Sequence, residues 1–166
     1  MKVLIAFILG LIAAPALVVL AGIAGRLPTD AVSNPPNWES STAMRALDAS
    51  LEKRSKGLTN PVAPNDAVAL AAGQKIYGNN CSGCHGDAKG PSNWGARNMY
   101  PRAPQFFQEG SDVTPPEAFA AIHDGIRYSG MGAWRGQLTD QQMWQVANFV
   151  ASVRGPGGKK MDMGSD

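Results

Sequence analysis

Cysteine, histidine and clustered charge are scarce in this sequence. Its 166 residues include two cysteines and two histidines, and 15 Lys and Arg against 13 Asp and Glu give a formal net charge of +2. Nucleic-acid-binding domains usually carry a clustered basic surface, whereas the only adjacent basic pairs here are Lys53-Arg54 and Lys159-Lys160. We therefore expect no nucleic-acid partner. No segment alternates strongly between apolar and polar residues either, so a domain built from strands is not expected.

A long uncharged run lies at the N-terminus. Residues 3–25 contain no charged side chain, and Lys2 and Arg26 flank them. A bilayer core requires about 20 apolar residues in a helix, whereas a secretory signal has an apolar region of about 7–15 residues. The run is therefore predicted to be a transmembrane anchor over residues 1–26, with a cleaved signal peptide as the alternative. Both interpretations export the rest of the chain.

Residues 27–65 are predicted to be a linker that contains one short amphipathic helix. The stretch 28–36 is rich in Pro, Asn, Ser and Thr, which indicates irregular chain. A helix is expected from a cap at Ser40, Ser41 or Thr42 to about residue 56. Its apolar stripe consists of Met44, Leu47 and Leu51. This stripe is too thin for an independent core, so we expect the helix to pack on the following domain, on the membrane surface or on a partner subunit.

Residues 66–155 are predicted to form a small domain of helices and long loops, and residues 156–166 a flexible tail. Helical periodicity and caps predict three helices, over about 65–81, 116–123 and 139–154. The intervening segment 86–114 shows no regular pattern, and loops of that length are usually functional. We expect a bound group to organise this loop.

The two cysteines belong to the motif Cys81-Ser82-Gly83-Cys84-His85, which is the attachment signature of c-type haem. In this chemistry each cysteine forms a thioether to the haem, and His85 is placed to bind the iron. Zinc sites usually need four ligands, but there is no second cysteine pair and the only other histidine is His123. A thioredoxin-like dithiol would require alternating strands and helices. The motif therefore predicts one covalent haem c with His85 as an axial ligand.

The second axial ligand is sought among His123 and the methionines that follow the motif. Met131 lies in a Gly-rich loop, where small neighbours let the backbone approach the haem and where a methionine has no obvious packing role. Met143 lies on the apolar face of the last helix, so core packing explains it. Met99, in the long loop, remains possible. The other methionines after the motif lie in the tail: Met161 and Met163. Met131 is therefore the predicted sixth ligand, and a His/Met pair raises the reduction potential relative to two histidines.

The order of these motifs resembles that of class I, mono-haem c-type cytochromes. The resemblance covers about residues 66–154 and runs through Gly73-x-x-x-Tyr77, Cys81-x-x-Cys84-His85, Ser129-Gly130-Met131 and Leu138-Thr139-Asp140. It implies an all-α, cytochrome c-like fold of three to five short helices and long loops around one haem, here preceded by one transmembrane helix. Where the family often has proline after the methionine ligand, this chain has Gly132.

The resemblance also implies particular contacts. The first and last helices of the domain should cross near Gly73 and Tyr77, with Trp144 and Val150 as contacts on the last helix. A proline carbonyl in the long loop should accept a hydrogen bond from the second ring nitrogen of His85 and so orient the ring. Both Pro101 and Pro104 are candidates for that carbonyl.

Further pocket residues follow from position and chemistry. Tyr128 and Trp134 are candidates to reach a haem propionate through their polar tips. Arg102 or Arg127 is a candidate to offset the propionate charge, and Asn93 and Trp94 are candidates to line the pocket in a similar way. The alternative for all of them is ordinary core aromatics and solvated arginines.

With both axial positions filled by protein, the predicted function is one-electron transfer in a membrane-associated respiratory or photosynthetic chain. Membrane-bound redox proteins are the expected partners, and the chain is expected to be a carrier or a subunit of a larger complex rather than an enzyme. The expected location is the bacterial cytoplasmic membrane, with the haem domain on the periplasmic side. The alternative is a haem-based sensor or a peroxidase-like enzyme in which Met131 leaves the iron.

Overall fold

A computed structural model describes the backbone of residues 2–158 and the side chains of residues 7–157. All regular elements in this part of the chain are helical, apart from two isolated bridges, Asp87–Gly90 and Arg135–Leu138. The prediction of an all-α fold is therefore confirmed. The predicted tail lies mostly outside the described residues, as do Met161 and Met163. The chain divides into two compact units, residues 1–30 and residues 31–166.

The first unit consists of helix α1, Lys2–Ile23, which continues through Pro15. The helix ends where Gly25 adopts a φ of 66° and the Arg26 amide donates to the carbonyl of Ala21 at 2.8 Å. This left-handed glycine and return bond form a common helix C-terminus. Among the residues whose side chains are described, no helix is long and apolar enough to cross a membrane, so the predicted transmembrane helix is not confirmed.

The second unit contains seven helices among its described residues. They are α2 (Asn37–Ser55), α3 (Ala67–Asn80), α4 (Ser82–His85), α5 (Asn93–Arg97), α6 (Phe106–Glu109), α7 (Pro115–Asp124) and α8 (Asp140–Ser152), and a short 3₁₀ turn follows at Pro156–Gly158. Three of these helices, α3, α7 and α8, correspond to those predicted for this domain, within a few residues at each end.

Side-chain caps explain where these three helices begin. The carboxylate of Asp66 accepts from the amides of Val68 and Ala69, and so begins α3. Thr114 and Thr139 each form a capping box, with Glu117 in α7 and with Gln142 in α8. In a capping box two backbone donors at the helix start are satisfied reciprocally.

The N-cap of helix α2 lies four to six residues before the predicted caps. Pro36 occupies the N-cap position. The hydroxyl groups of Ser40 and Thr42, predicted as caps, instead donate to the carbonyls of Asn37 and Trp38 within the helix. Hydroxyl side chains make this back-bond readily inside helices, which is why they are ambiguous as start signals.

Helices α3 and α8 cross at Gly73, as the resemblance implies. A Cβ atom on Gly73 would lie 2.7 Å from the carbonyl carbon of Gln145 and 3.0 Å from the Cβ atom of Phe149. The ring of Tyr77, one turn further along α3, lies 5.4 Å from the ring of Phe149. The close contacts at the crossing are therefore Gln145 and Phe149, whereas Trp144, expected there, stacks on Phe119 of α7 at 4.2 Å.

The core lies between α7 and α8 and extends to Tyr77 on α3. Val146 and Ala147 are fully buried, and Met143 is 1% exposed. Met143 thus belongs to the core, as its position on the apolar face of α8 predicts. Helix α2 packs on α7 through the buried Leu51. Of the three predicted partners of this helix, the structure thus shows the following domain.

Candidate cofactor-binding site

The Cys81–His85 motif is presented at the end of α3. The amide of Cys81 still donates to the carbonyl of Tyr77, at 2.8 Å, and α4 follows as a single turn. Both thiols are free and half-buried. Burial raises the pKa of the Cys81 thiol to about 11, and the neighbouring Cys84 adds to this shift.

The ring of His85 is oriented by the long loop. Its Nδ1 atom lies 3.0 Å from the carbonyl oxygen of Pro104, and its ring stacks on Phe106 with 5.0 Å between centroids. Burial lowers the pKa of His85, while the hydrogen bond to Pro104 opposes this shift. A neutral imidazole whose Nδ1 donates to a carbonyl has Nε2 available as a metal ligand.

The two candidate prolines thus have different positions. The Pro104 carbonyl contacts His85, whereas Pro101 follows a cis peptide bond with Tyr100. Both belong to the segment between α5 and α6. This geometry favours Pro104 as the residue that orients His85.

Gln105, which the sequence did not mark as functional, holds this loop against the motif. Its Nε2 donates to the carbonyls of Cys84 at 3.0 Å and Ala103 at 2.7 Å, and its Oε1 accepts from the amide of Ser92 at 2.8 Å. The residue is 5% exposed. Its only signal in the sequence is its place directly after Pro104, which becomes meaningful once Pro104 is known to contact His85.

Tyr77 contacts the end of the Cys81–His85 motif through its hydroxyl group. Its hydroxyl donates to the carbonyl of Gly86 at 2.8 Å and approaches that of His85 at 3.2 Å. Burial, the largest cause, raises the pKa of Tyr77, and the hydroxyl remains a donor at neutral pH. Tyr77 therefore links the crossing of α3 and α8 to the residue that bears the imidazole.

Met131 lies in a tight loop closed by its own backbone. The carbonyl of Met131 accepts from the amide of Ile126 at 3.0 Å, and its amide donates to Ser129 Oγ at 3.1 Å. The Ser129 hydroxyl in turn donates to the carbonyl of Ile126 at 2.8 Å. The Met131 side chain is half-buried against the hydrophobic core, as is Trp134. The loop therefore holds the thioether at the edge of the core.

Met99, the competing ligand, lies beside this loop. A Cβ atom on Gly130 would lie 2.9 Å from Met99 Sδ and 2.8 Å from its Cε. The two thioether side chains thus belong to the same neighbourhood, although 31 residues separate them in the sequence. A side chain at position 130 would have to displace the end of the Met99 side chain.

The remaining predicted pocket residues differ in their surroundings. Tyr128 is 89% exposed and has a positive φ of 61°. The guanidinium group of Arg102 donates to the carbonyls at the end of α5, of Ala96 and Arg97, and to Asn34 Oδ1 at 2.8 Å. The structure thus gives Arg102 partners within the protein, and its assignment to a propionate stays a prediction.

An ionic cluster at the end of α7 was also not expected from the sequence. Asp124 pairs with Arg54 at 3.4 Å, with Arg135 at 3.3 Å and with His123 Nδ1 at 2.7 Å. The hydrogen bond from His123 is the largest cause of the lowered pKa of Asp124, and the two arginines add to it. His123 is thereby engaged as a partner of Asp124 through its Nδ1 atom.

The donor set fits a covalently attached haem. Two free thiols and an imidazole lie within one turn of helix, and the imidazole has one ring nitrogen engaged and one left for iron. The thioether of Met131 is held at the edge of an apolar core. Among the described residues, no group of three or more Cys, His, Asp and Glu side chains forms a metal site. The residues therefore match haem attachment better than a zinc site.

Comparison with known proteins agrees with this chemistry. The family described as cytochrome c oxidase, cbb3-type, subunit III matches residues 68–150, which is half of the chain. The chain is 35% identical over 100 residues to the cbb3-type cytochrome c oxidase subunit FixPc of Rhizobium leguminosarum bv. viciae, over 60% of this chain and 32% of that protein. It is 33% identical over 103 residues to the subunit CcoP of Rhodobacter capsulatus, over 55% of this chain and 32% of that protein.

The chain thus spans about a third of the length of these curated relatives. Among solved structures, cytochrome CL of Methylophaga aminisulfidivorans is similar at 24% identity and a TM-score of 0.42, over 55% of this chain and 58% of that one. At that TM-score the likeness adds nothing to the family match. The match to the family begins within α3, so helix α2 lies outside the matched region.

Proposed function

Because the chain belongs to the cbb3-type cytochrome c oxidase subunit III family of c-type cytochromes, we propose that it carries single electrons through one covalent haem c. The observation that carries this proposal is the attachment motif with its oriented histidine, His85 Nδ1 on the Pro104 carbonyl. When bound, the haem supplies a one-electron exchange between Fe(II) and Fe(III).

The residues have distinct proposed roles. Cys81 and Cys84 would hold the haem covalently, and His85 and Met131 would bind its iron. The Pro104 carbonyl fixes the orientation of the imidazole and increases its basicity. With both axial positions filled by side chains, no position is left for a substrate, which is why we propose a carrier and not an enzyme.

We propose that the chain works within a respiratory assembly. The two curated relatives are named as subunits of cbb3-type cytochrome c oxidase. A redox protein would then donate to or accept from the haem, over a small and short-lived interface of the kind typical of electron transfer. Photosynthetic chains, also considered from the sequence, have no support from these relatives.

We further propose that the chain is attached to the bacterial cytoplasmic membrane with the haem on the periplasmic side. The uncharged run of residues 3–25 supports attachment. Fractionation of cells that express the whole chain tests this proposal. Recovery of the haem protein in the membrane fraction after a high-salt wash supports it, and recovery in the soluble periplasmic fraction contradicts it.

Replacement of each candidate methionine tests the ligand assignment. In the oxidised protein, methionine–iron ligation gives a weak charge-transfer band in the red. Met131→Ala should abolish this band, lower the reduction potential and let CO bind the reduced iron, because a His/Met pair raises the potential and closes the iron. Met99→Ala is the matched control and should leave the band in place. The reverse pattern would assign the ligand to Met99.

The wild-type protein itself separates the carrier from a sensor or peroxidase-like enzyme. A carrier should show the methionine band, titrate as a single one-electron couple and bind CO slowly. If the native protein lacks the band and binds CO rapidly, the iron is open and the sensor or enzyme alternative replaces the proposed function.

A further inference from the structure

Arg54, in the last turn of α2, holds the C-terminal end of α7. Its Nη2 atom donates to the carbonyl of Ala120, lies 3.3 Å from the carbonyl of Gly125 and pairs with Asp124 at 3.4 Å. Its side chain is 26% exposed. The last carbonyls of a helix lack partners within the helix, and a cation there is favoured by the helix dipole. Arg54 therefore places a cation at this helix end, where it also contacts the carbonyl of the C-cap residue Gly125.

The same helix end is joined to the Met131 loop by backbone hydrogen bonds. The carbonyl of Ile122 accepts from Trp134 at 2.9 Å, and the amide of Ile126 donates to the carbonyl of Met131 at 3.0 Å. A Cβ atom on Gly125 would lie 2.8 Å from that same Met131 carbonyl oxygen. Since these contacts are short and backbone-based, a displacement of the end of α7 displaces Met131 with it.

The segment that ends at Arg54 begins near Asn34, and this beginning contacts the loop that carries Met99. Glu39 accepts a hydrogen bond from the Tyr100 hydroxyl at 2.6 Å, and Asn34 accepts from Arg102 at 2.8 Å. We call residues 32–54 the strap. It thus contacts both loops that bear a candidate methionine, the one with Met99 and, through α7, the one with Met131.

We propose that Arg54 is a positioning residue for Met131, which it keeps on the iron by holding the end of α7. The proposal deepens the proposed function and rests on the assignment of Met131 as the axial ligand. The strap lies outside the region that matches the family. This chain would thus use a segment outside the family match to fix the methionine side of the haem.

The contacts of Arg54 indicate that it positions the end of α7 and does not only contribute to general packing. Asp124 is shared among Arg54, Arg135 and His123, so its charge remains partly balanced when Arg54 is removed. The carbonyls of Ala120 and Gly125 lose their cationic donor, however. The expected consequence is therefore local, at the α7 end and in the loop that follows.

The experiment compares Arg54→Ala with Lys53→Ala in the full-length haem protein. Lys53 is the exposed neighbouring cation on the same helix, so the control removes the same charge. The rate of CO binding to the reduced protein reports the fraction of molecules in which methionine has left the iron. We expect Arg54→Ala to raise this fraction about tenfold, equivalent to about 1.4 kcal/mol, and to weaken the methionine band at temperatures well below unfolding.

Two further variants separate positioning from a general loss of stability. Arg54→Lys keeps the charge at the helix end and should restore part of the wild-type band and CO rate. Arg54→Gln is the milder change if Arg54→Ala does not retain haem, and it should weaken the band in the same direction. Unfolding followed by far-ultraviolet circular dichroism measures global stability in parallel.

The outcomes distinguish this inference from the proposed function. If the wild-type protein shows the methionine band but the folded Arg54→Ala or Arg54→Gln variant matches Lys53→Ala in band and CO rate, the positioning role is wrong while the function stands. An effect on the unfolding temperature alone leads to the same conclusion. If the wild-type protein lacks the band, the ligand assignment fails and the positioning role fails with it.

Discussion

The two sides of the proposed haem pocket are stabilised in different ways. On the His85 side, the supporting contacts come from residues close in the sequence, such as Pro104 at a separation of 19 residues and the link from Gln105 to Cys84 at 21. On the Met131 side, Arg54 contacts Ala120 and Gly125 at separations of 66 and 71 residues. The first side is defined by a local motif, whereas on the second side a local turn is connected through α7 to a distant segment.

This difference suggests that the two sides should respond differently to mutation. The proposed covalent attachment and the buried Gln105 amide would make the His85 side tolerant of local strain. The Met131 loop would have no covalent link to the haem, and we propose that its position depends on the end of α7. We therefore expect the methionine ligand to be lost before the histidine ligand under mild perturbation.

The largest expected effect lies on the His85 side. In the double variant Cys81→Ala/Cys84→Ala both thioether bonds are absent, and no haem should remain with the polypeptide after acid–acetone extraction. Ser82→Ala, between the two cysteines, is the control and should retain its haem. Haem that stays covalently attached to the double variant would contradict the assignment of these cysteines.

On the Met131 side, Gly125→Ala should be strongly destabilising. Gly125 has a φ of 71°, and an added Cβ would lie 2.8 Å from atoms of Met131, Gly132 and Ala133. Backbone strain and overpacking together should cost about 2–4 kcal/mol in the free energy of unfolding, measured by urea titration. The methionine band should weaken as well.

The matched control for this variant is Gly136→Ala. Gly136 has a φ of 86° but no atom within 4 Å of an added Cβ. It reports backbone strain alone, about 1–2 kcal/mol, and should leave the band unchanged. Equal effects of the two substitutions would mean that contact with the Met131 loop contributes nothing.

An intermediate effect is expected for Gln105→Leu on the His85 side. The change leaves the Ser92 amide and the carbonyls of Cys84 and Ala103 without their side-chain partner. Buried groups left unpaired cost about 1–3 kcal/mol. The free energy of unfolding, measured by urea titration, should therefore fall by about 2 kcal/mol. The methionine band should persist, in contrast to Gly125→Ala. The exposed Gln137→Leu is the control, and early loss of the band in Gln105→Leu would remove the distinction between the two sides.

The smallest effect concerns the docking of α2. The pKa of Asp48 is raised, by burial first and then by the nearby carboxylates of Asp112 and Glu117. When the pKa of a carboxyl group is raised in the folded state, the associated stability is fully present at pH values below its usual pKa of 3.8. That stability is lost as the pH rises through the pKa of the folded state. Asp48→Asn should therefore stabilise the protein at pH 7, by about 0.5 kcal/mol since the group is largely exposed and screened.

The same substitution should have little effect in acid, where Asp48 is protonated. Glu52→Gln on the same helix is the control, because Glu52 pairs with Lys56 at 3.3 Å and gains nothing from neutralisation. Unfolding temperatures at pH 7 and in acid measure both variants. A stabilisation by Asp48→Asn that is equal at the two pH values would contradict the proposed repulsion.

Local signals in the sequence predicted much of the fold. The caps at Asp66 and Thr139 and the apolar periodicity gave helices α3 and α8 within a few residues. The resemblance to class I c-type cytochromes placed the helix crossing near Gly73, and the structure shows that a side chain there would collide with α8. The start of α2 was predicted less well, since Ser40 and Thr42 bond back to the helix instead of capping it.

Contacts between distant segments could not be predicted in this way. Nothing in the sequence near Gln105 or Arg54 indicates which carbonyls their donors reach. The choice between Pro101 and Pro104, and the approach of Met99 to Gly130, likewise depend on how the long loop folds. Such contacts are selected by packing of the whole domain, because each one becomes favourable only when its partner is already in place.

The sequence by itself determined the chemistry of this protein: two thiols and an imidazole at fixed spacing, an all-α domain and a short set of methionines. These features are local, since thioether attachment and helix caps require only neighbours along the chain. The tertiary structure decided which proline orients His85, which amide secures the loop and how α2 reaches the end of α7. The reason is physical, since a buried hydrogen bond or ion pair exists only where two distant segments meet with their polar groups aligned and water excluded.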